Sequence, residues 1–337
     1  MIAVTGATGL LGRVLLFDLL REEQKVRALC RASSDLNAVK KAFFLYHEGS
    51  EELWEQIEWV KVDFEDLDSL QAAIVGVKQI YHCAGEVSFD PRKEKKIYKT
   101  NVEGTTNLLY ATQNSGVESF LHVSSIAVLD GQNAEGEVDE TCDFNPKLAH
   151  SAYAISKHIA ELEVMRASAE GLRVIVVNPG IILGSGNWTK SSGELYSRYK
   201  NLPFAPPGSS SYVDVRDVSK ACRLLMNSEP KKERYILVSE TKSNAWVANY
   251  LRAAFGKKKV KVLPSSLLKL AVGLNFLLGW LIPPLRMLNS VNIKALCSQN
   301  KVSSERFKNE FDFDFIPIEE SLSYHLQYFK NKEKSSL

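Results

Sequence analysis

Tyr153 and Lys157 stand four residues apart in the run Ser151-Ala-Tyr-Ala-Ile-Ser-Lys157. On a helix that spacing brings both side chains to one face. A free tyrosine has a pKa of about 10 and is protonated at neutral pH. A nearby ammonium stabilises the phenolate and lowers that pKa, so the phenol can give or take a proton near neutrality. Ser125 carries a hydroxyl that can hydrogen-bond a carbonyl oxygen and hold it beside the phenol. These three groups suit proton transfer to or from a carbonyl or alcohol, with a nicotinamide supplying or accepting the hydride. Neither a metal nor a nucleophilic serine is required. Tyr-x-x-x-Lys pairs also arise by chance in helices, so this pair gains meaning from the elements around it.

Those elements begin at once. Ile2–Val4 reads as a short buried strand, and Arg13–Leu20 as an amphipathic helix. Between them lies Thr5-Gly6-Ala7-Thr8-Gly9-Leu10-Leu11-Gly12, with glycines at a spacing of three. Strand, glycine turn and helix are the setting of a dinucleotide site. Gly6 allows a sharp turn out of the strand, Gly9 lets a pyrophosphate approach the backbone, and Gly12 lets the helix lie close on the sheet. The free N–H groups of the helix start attract the phosphates.

Further strands are expected at residues 25–30, 57–62, 79–83, 119–123 and 173–177, with helices between them. This alternation predicts a doubly wound parallel α/β sheet with helices on both faces. Its carboxyl edge carries Gly6, Arg31, Asp63-Phe64, Cys83-Ala84-Gly85, Ser125 and Pro179. Ligands bind along that edge in open α/β sheets. Arg31 stands where a carboxylate would bond the ribose of NAD. An arginine there pairs with the 2′-phosphate of NADP, so NADP(H) is favoured over NAD(H). Asp63 either accepts from the adenine amino group or caps the next helix. Ala84 and Gly85 are small enough for the cofactor ribose to lie across the strand ends. Cys83 reads as a small buried residue rather than a reactive thiol.

After residue 180 the pattern is irregular. Residues 184–208 read mostly as loop, 212–218 lead into a helix to about Met226, and 234–238 form a late strand. Lys257–Lys259 reads as a solvated turn, residues 311–316 (FDFDFI) alternate like a strand, and a last helix over 319–329 precedes a frayed tail at 330–337. Leu267–Leu288 is long and apolar, but Lys269, Asn275, Arg286 and Pro283-Pro284 interrupt it. A buried or pocket-lining helix is expected there, with membrane-surface contact as the alternative and no stable span.

The whole set resembles the extended short-chain dehydrogenase/reductase family. It rests on the glycine stretch, Asp63, Ala84-Gly85, Asn101, Ser125, Tyr153-Ala-Ile-Ser-Lys157 and Asn178-Pro179-Gly180. The resemblance covers residues 1 to about 220. It implies a Rossmann domain at 1–180 to which 212–240 return, and a small C-terminal substrate part from 181–211 and 241–330. It implies Tyr153 as acid/base, Lys157 bonding the nicotinamide ribose and lowering the tyrosine pKa, Ser125 orienting the substrate, and Asn101 holding the supporting helix. It permits a monomer or a homodimer. Arg31, the Asn-Pro-Gly turn and the apolar C-terminal stretch look like the dihydroflavonol-reductase-like and 3β-hydroxysteroid-dehydrogenase-like members. Nucleotide-sugar epimerases and dehydratases with tightly held NAD more often carry Arg-Pro in place of Asn178-Pro179, and Val-Tyr-Gly where this chain has Ala127-Val128-Leu129-Asp130-Gly131. Phe204, Phe276 and Trp280 would suit an apolar or aromatic carbonyl substrate. A non-catalytic module sensing the NADP/NADPH ratio would lack the serine, tyrosine or lysine.

Composition agrees with this. The 337 residues are 45% hydrophobic and 24% charged, ordinary for a globular chain. A net charge of +2 predicts no overall electrostatic attraction to nucleic acid or membrane. Cys30, Cys83, Cys142, Cys222 and Cys297 form no CxxC pair, and the histidines lack metal-ligand spacing, so no metal site is expected. Free thiols and a first strand at the start of the chain predict a cytoplasmic protein.

Overall fold

A computed structural model describes residues 1–45, 50–186, 188, 193–278 and 287–335. Seven parallel strands make the main sheet: β1 (Ile2–Thr5), β2 (Val26–Cys30), β3 (Glu58–Lys61), β4 (Gln79–His82), β5 (Ser119–Val123), β6 (Arg173–Pro179) and β7 (Arg234–Leu237). Their order across the sheet is β7-β6-β5-β4-β1-β2-β3. The chain therefore reverses its direction of travel between β1 and β4, and a ligand crevice opens at that point.

The strands are apolar on both sides because helices cover both faces. On one face Ile2, Val4, Ala28, Tyr81, Leu121 and Ile175 meet helix α1 (Leu10–Arg21) and helix α2 (Val215–Met226) through Val14, Leu15, Val218 and Leu225. On the other face Ala3, Leu29, Ile80, Phe120 and Val174 meet Leu70, Leu108 and Val164. Val164 lies on the long helix Ala152–Ala169, whose start is capped by Ser151. Each leucine of this type contributes roughly 1.5–3 kcal/mol through burial.

A second core lies beyond Pro179. A strand Ser209–Asp214 pairs parallel with Ile181–Leu183 and antiparallel with Glu240–Ser243. Leu183, Trp188, Tyr196, Tyr212, Leu251 and Phe329 pack around it. The buried Asp214 carboxylate ties the two parts together. It accepts from Ser321 Oγ at 2.7 Å, from Arg216 Nη2 at 2.7 Å and from His325 Nε2 at 3.2 Å. Burial alone would raise this carboxyl, but the bonds from Arg216 and His325 outweigh it and hold the group well below the usual carboxylate range.

Three expectations for this half need correction. Residues 184–208 contain a helix, Glu194–Asn201, held by Tyr196 packing on Trp188 and Phe329 and by an Arg198–Glu194 pair. Residues 311–316 form no strand. Asp312 turns left-handed (φ 47°) after the helix Glu305–Phe311, and Phe313 and Phe315 alternate because both pack on Phe307. That cluster joins the core of the main sheet, although it falls within the expected substrate part. The last helix begins at Ile318 and runs through the expected frayed tail as far as Ser335. From the apolar stretch, Ser265–Leu278 is helical, while residues 279–286, including Trp280, and the Phe276 side chain lie outside the described residues.

Candidate active site

The glycine turn leaves no room for side chains. Gly6 has φ +63°, and a Cβ there would stand 2.6 Å from the backbone of Cys83 and Ala84. A Cβ on Gly12 would stand 2.3 Å from the Gly6 carbonyl oxygen. Gly12 thus lets α1 lie close against the turn itself, where the sequence suggested the sheet. Gly9 closes the turn by donating its N–H to Gly6 O at 2.8 Å, and it caps α1 without any side-chain bond. Thr8, Leu10 and Leu11 flank this bare helix start. The buried Arg13 supports it from behind, donating to Thr8 O at 3.2 Å and to Ser185 O at 3.3 Å. Sequence reading missed Arg13, since nothing in an amphipathic helix marks one arginine as buried. A bare, cationic cradle of this shape fits a pyrophosphate.

The other edge residues line up beside it. Arg31 is exposed at the end of β2, where its guanidinium donates to Thr100 Oγ1 at 3.2 Å and makes no ion pair among the described residues. Asp63 is also exposed. Its carboxylate accepts from Glu65 N–H at 2.9 Å, and the next helix is capped by Asp66, so the capping alternative for Asp63 does not hold. The Phe64 carbonyl accepts from Asn107 Nδ2 at 2.8 Å. Cys83 and Ala84 are half-buried and Gly85 is exposed beyond β4. Burial pushes the Cys83 thiol up to about 12, so it stays protonated and unreactive. Pro179 is buried at the end of β6.

Tyr153 and Lys157 lie in the first turns of the Ala152–Ala169 helix, and Ser125 follows the end of β5. Ser125 Oγ accepts from Ala127 N–H at 3.2 Å, which fixes its side chain at the head of a short 3-10 turn. Burial raises the Tyr153 phenol above its ordinary value, and a hydrogen bond with Ser125 acts the other way. Lys157 is buried and its ammonium donates to Val123 O at 2.6 Å, with His122 Nε2 at 3.3 Å. Burial pushes this ammonium down to about 8, against the pull of Glu161 and Cys83. The lysine is thus held at the end of β5 and has no hydrogen bond to the tyrosine, which departs from the expected lowering of the phenol by its neighbour.

A buried polar frame holds these groups in place. Asn178 Nδ2 donates both to Ser125 O at 3.0 Å and to Glu161 Oε1 at 2.7 Å, and Arg234 closes on Glu161 Oε2 at 3.0 Å. Asn101 sits in a π-helical turn, Lys99–Glu103, at the head of the helix Gly104–Thr112. Its amide donates to Glu86 O at 3.0 Å and to Ser156 Oγ at 2.9 Å, and its carbonyl accepts from Glu86 N–H at 2.7 Å. It therefore ties the chain leaving β4 to the helix that carries Tyr153. Ser124 Oγ and Asn178 Oδ1 are buried without a protein partner at this same edge. Such atoms suit a polar ligand lying across the strand ends.

One wall of the site was not read from the sequence. The exposed Phe89 ring stands edge-on to Tyr153, with centroids 6.3 Å apart, and its carbonyl accepts from Asn292 Nδ2 at 3.1 Å. Asn292 belongs to the helix Ser290–Cys297 of the second half. A lone phenylalanine between Ser88 and Asp90 carries no periodic signal, so only the fold brings it forward. Phe204, by contrast, does not reach this group. It is exposed on an outer two-residue strand paired with Lys261–Val262.

The chain is similar to known proteins. A family model described as Male sterility protein, an NAD-binding family, matches residues 4–202. A dihydroflavonol 4-reductase, itself described as putative, from Synechocystis is 31% identical over 265 residues, covering 75% of this chain and 72% of that protein. Cinnamoyl-CoA reductase 1 of Oryza sativa subsp. japonica is 28% identical over 326 residues, covering 89% and 91%. The crystal structure of gox2253 superposes with a TM-score of 0.81 at 26% identity, covering 98% of each chain. The chain therefore belongs to this NAD-binding family of the extended short-chain dehydrogenase/reductase type, and it is an NAD(P)-dependent oxidoreductase.

Proposed function

We propose that the protein interconverts an apolar or aromatic ketone or aldehyde and the corresponding alcohol, using NADP(H). The observation that carries this reading is the gathering of Ser125, Tyr153 and Lys157 at the carboxyl edge of the sheet, one glycine cradle away from Arg31. The glycine stretch 6–12, with Thr8, Leu10 and Leu11, would hold the pyrophosphate. Arg31 would take the 2′-phosphate, Asp63 and Phe64 the adenine, and Cys83, Ala84, Gly85, Lys157 and Pro179 the path toward the nicotinamide. When bound, the nicotinamide supplies the hydride in reduction and accepts it in oxidation.

The chain's own groups do the rest. Ser125 Oγ donates to the substrate oxygen and keeps it beside the phenol. Tyr153, protonated at neutral pH, gives its proton to that oxygen during reduction and takes one back during oxidation. Lys157 turns its ammonium from the Val123 carbonyl to a ribose hydroxyl and favours the phenolate when the proton has left. Asn101, Asn178 and Glu161 are positioning residues. Phe89 offers an apolar wall, which favours an apolar carbonyl. Residues 1–180 with 212–240 form the nucleotide-binding part in this reading, and 181–211 with 241–330 supply most of the substrate pocket. Five free thiols support a reducing, cytoplasmic setting.

A panel of aromatic, steroid-like and aliphatic carbonyls, followed by loss of NADPH absorbance, tests the reading. Turnover of at least one apolar carbonyl is expected, with NADPH preferred over NADH. Release of tightly held NAD on denaturation, together with turnover of a sugar nucleotide and of no carbonyl in the panel, would replace it by an epimerase.

A further inference from the structure

Charge is unevenly distributed along this chain. Ten of its 42 lysines and arginines fall between residues 241 and 304, and none of its 40 acidic residues does. The fold concentrates part of that charge. Lys257, Lys258, Lys259 and Lys261 line an open cavity of about 550 Å³ together with Arg252 and Phe204. All four lysines are exposed, and none has an ion-pair partner among the described residues. Arg252 is buried behind them and shapes the turn, donating to Lys258 O at 2.7 Å and to Leu202 O at 3.0 Å.

The same end of the molecule exposes apolar side chains. Leu202, Phe204, Val262, Leu267 and Leu270 are 45–63% exposed. Backbone bonds hold them close to the lysines. Lys261 N–H donates to Pro203 O and Leu263 N–H to Ala205 O, both at 2.9 Å, and the helix Ser265–Leu278 starts directly afterwards with Leu267 N–H on Pro264 O at 3.0 Å. Single exposed leucines are ordinary on a protein surface. Three of them, with Phe204 and Val262, beside four unpaired cations match the make-up of a surface that enters a lipid headgroup layer. No helix among the described residues is long and apolar enough to cross a membrane, so the geometry suits lying on a bilayer rather than spanning it.

We propose that this face docks the protein on an anionic lipid surface, the lysines meeting the headgroups and the leucines the acyl boundary. An acidic protein would satisfy the lysines but leave the exposed leucines without a role. The inference does not depend on the chemistry assigned to Ser125, Tyr153 and Lys157.

Co-sedimentation of the full chain with vesicles tests it, comparing phosphatidylcholine alone with phosphatidylcholine containing phosphatidylglycerol. Binding at least about 10-fold tighter to the anionic vesicles is expected, falling as salt is raised. The K257E/K258E/K259E variant should lose about 100-fold in that affinity. The L267S/L270S variant should lose about 10-fold while its remaining binding stays salt-sensitive. Both variants should keep wild-type affinity for NADPH, which shows that they fold. Equal binding to the two vesicle types, or anionic binding unchanged by the lysine reversal, would overturn the proposal. Capture of polyglutamate with no vesicle binding would overturn it too and assign the face to an acidic protein.

Discussion

The two halves of this molecule solve the same problem by different means. In the nucleotide half, seven parallel strands run in register and end along one edge, so residues distant in sequence arrive there automatically. In the second half the strands are short, pair both parallel and antiparallel, and depend on a buried Asp214–His325–Arg216 knot for their placement. A repeated unit can position chemistry from local pattern alone. An irregular part positions it through single long-range contacts, such as Asn292 holding the Phe89 carbonyl.

If that contrast is right, damage to the glycine cradle and its edge should act on the cofactor, and damage to what the irregular part holds in place should act on the substrate. The largest effect is expected from Gly12→Ala. Its new Cβ must displace the Gly6 carbonyl oxygen that stands 2.3 Å away, and such overpacking costs about 3 kcal/mol or more. NADPH affinity measured by fluorescence titration should fall by about 100-fold, and retention of wild-type affinity would break the cradle assignment. Arg31→Glu should come next. Removing one charge-assisted contact to the 2′-phosphate lowers the preference for NADPH over NADH by about 10- to 100-fold. An unchanged preference would defeat the NADP(H) reading.

A pH effect should follow from Lys157. Burial holds its ammonium at about 8, so the charged form is present below that pH and disappears above it. The value of kcat/KM should therefore be level below about pH 8 and fall roughly 10-fold per pH unit above it, with the break absent in Lys157→Met. The smallest effect belongs to Phe89, which lies in the nucleotide half but whose carbonyl is held by Asn292 of the irregular part. Phe89→Ala should raise KM for an apolar carbonyl by about 3- to 10-fold, as expected for one lost apolar wall, and leave NADPH affinity unchanged. An equal loss in both constants would blur the division between the halves.

The same contrast explains what could be read from the residues. All seven strands of the main sheet, the glycine turn and the Tyr153–Lys157 helix were legible because apolar runs and glycines at fixed spacing are local signals. Ser119–Val123 forms its strand as the sequence predicts. The FDFDFI run misled because alternation reports burial on alternate sides. Packing of Phe313 and Phe315 on Phe307 produces that pattern without a strand. Glu194–Asn201 was hidden by glycines and serines before it, and Asp66 rather than Asp63 took the cap because the helix starts one turn later than the strand end suggests. At the site, Ser125, Tyr153 and Lys157 could be named from spacing. Phe89, Arg13 and the Glu161–Arg234 pair could not, because their partners lie far away in sequence.

The central claim is that the Tyr153 phenol moves the proton while the cradle holds the cofactor. Tyr153→Phe removes one oxygen and keeps the ring that faces Phe89. With the best carbonyl of the panel, kcat should fall by at least about 100-fold while NADPH affinity stays within about 3-fold of wild type. Full turnover by the Tyr153→Phe protein would contradict the account.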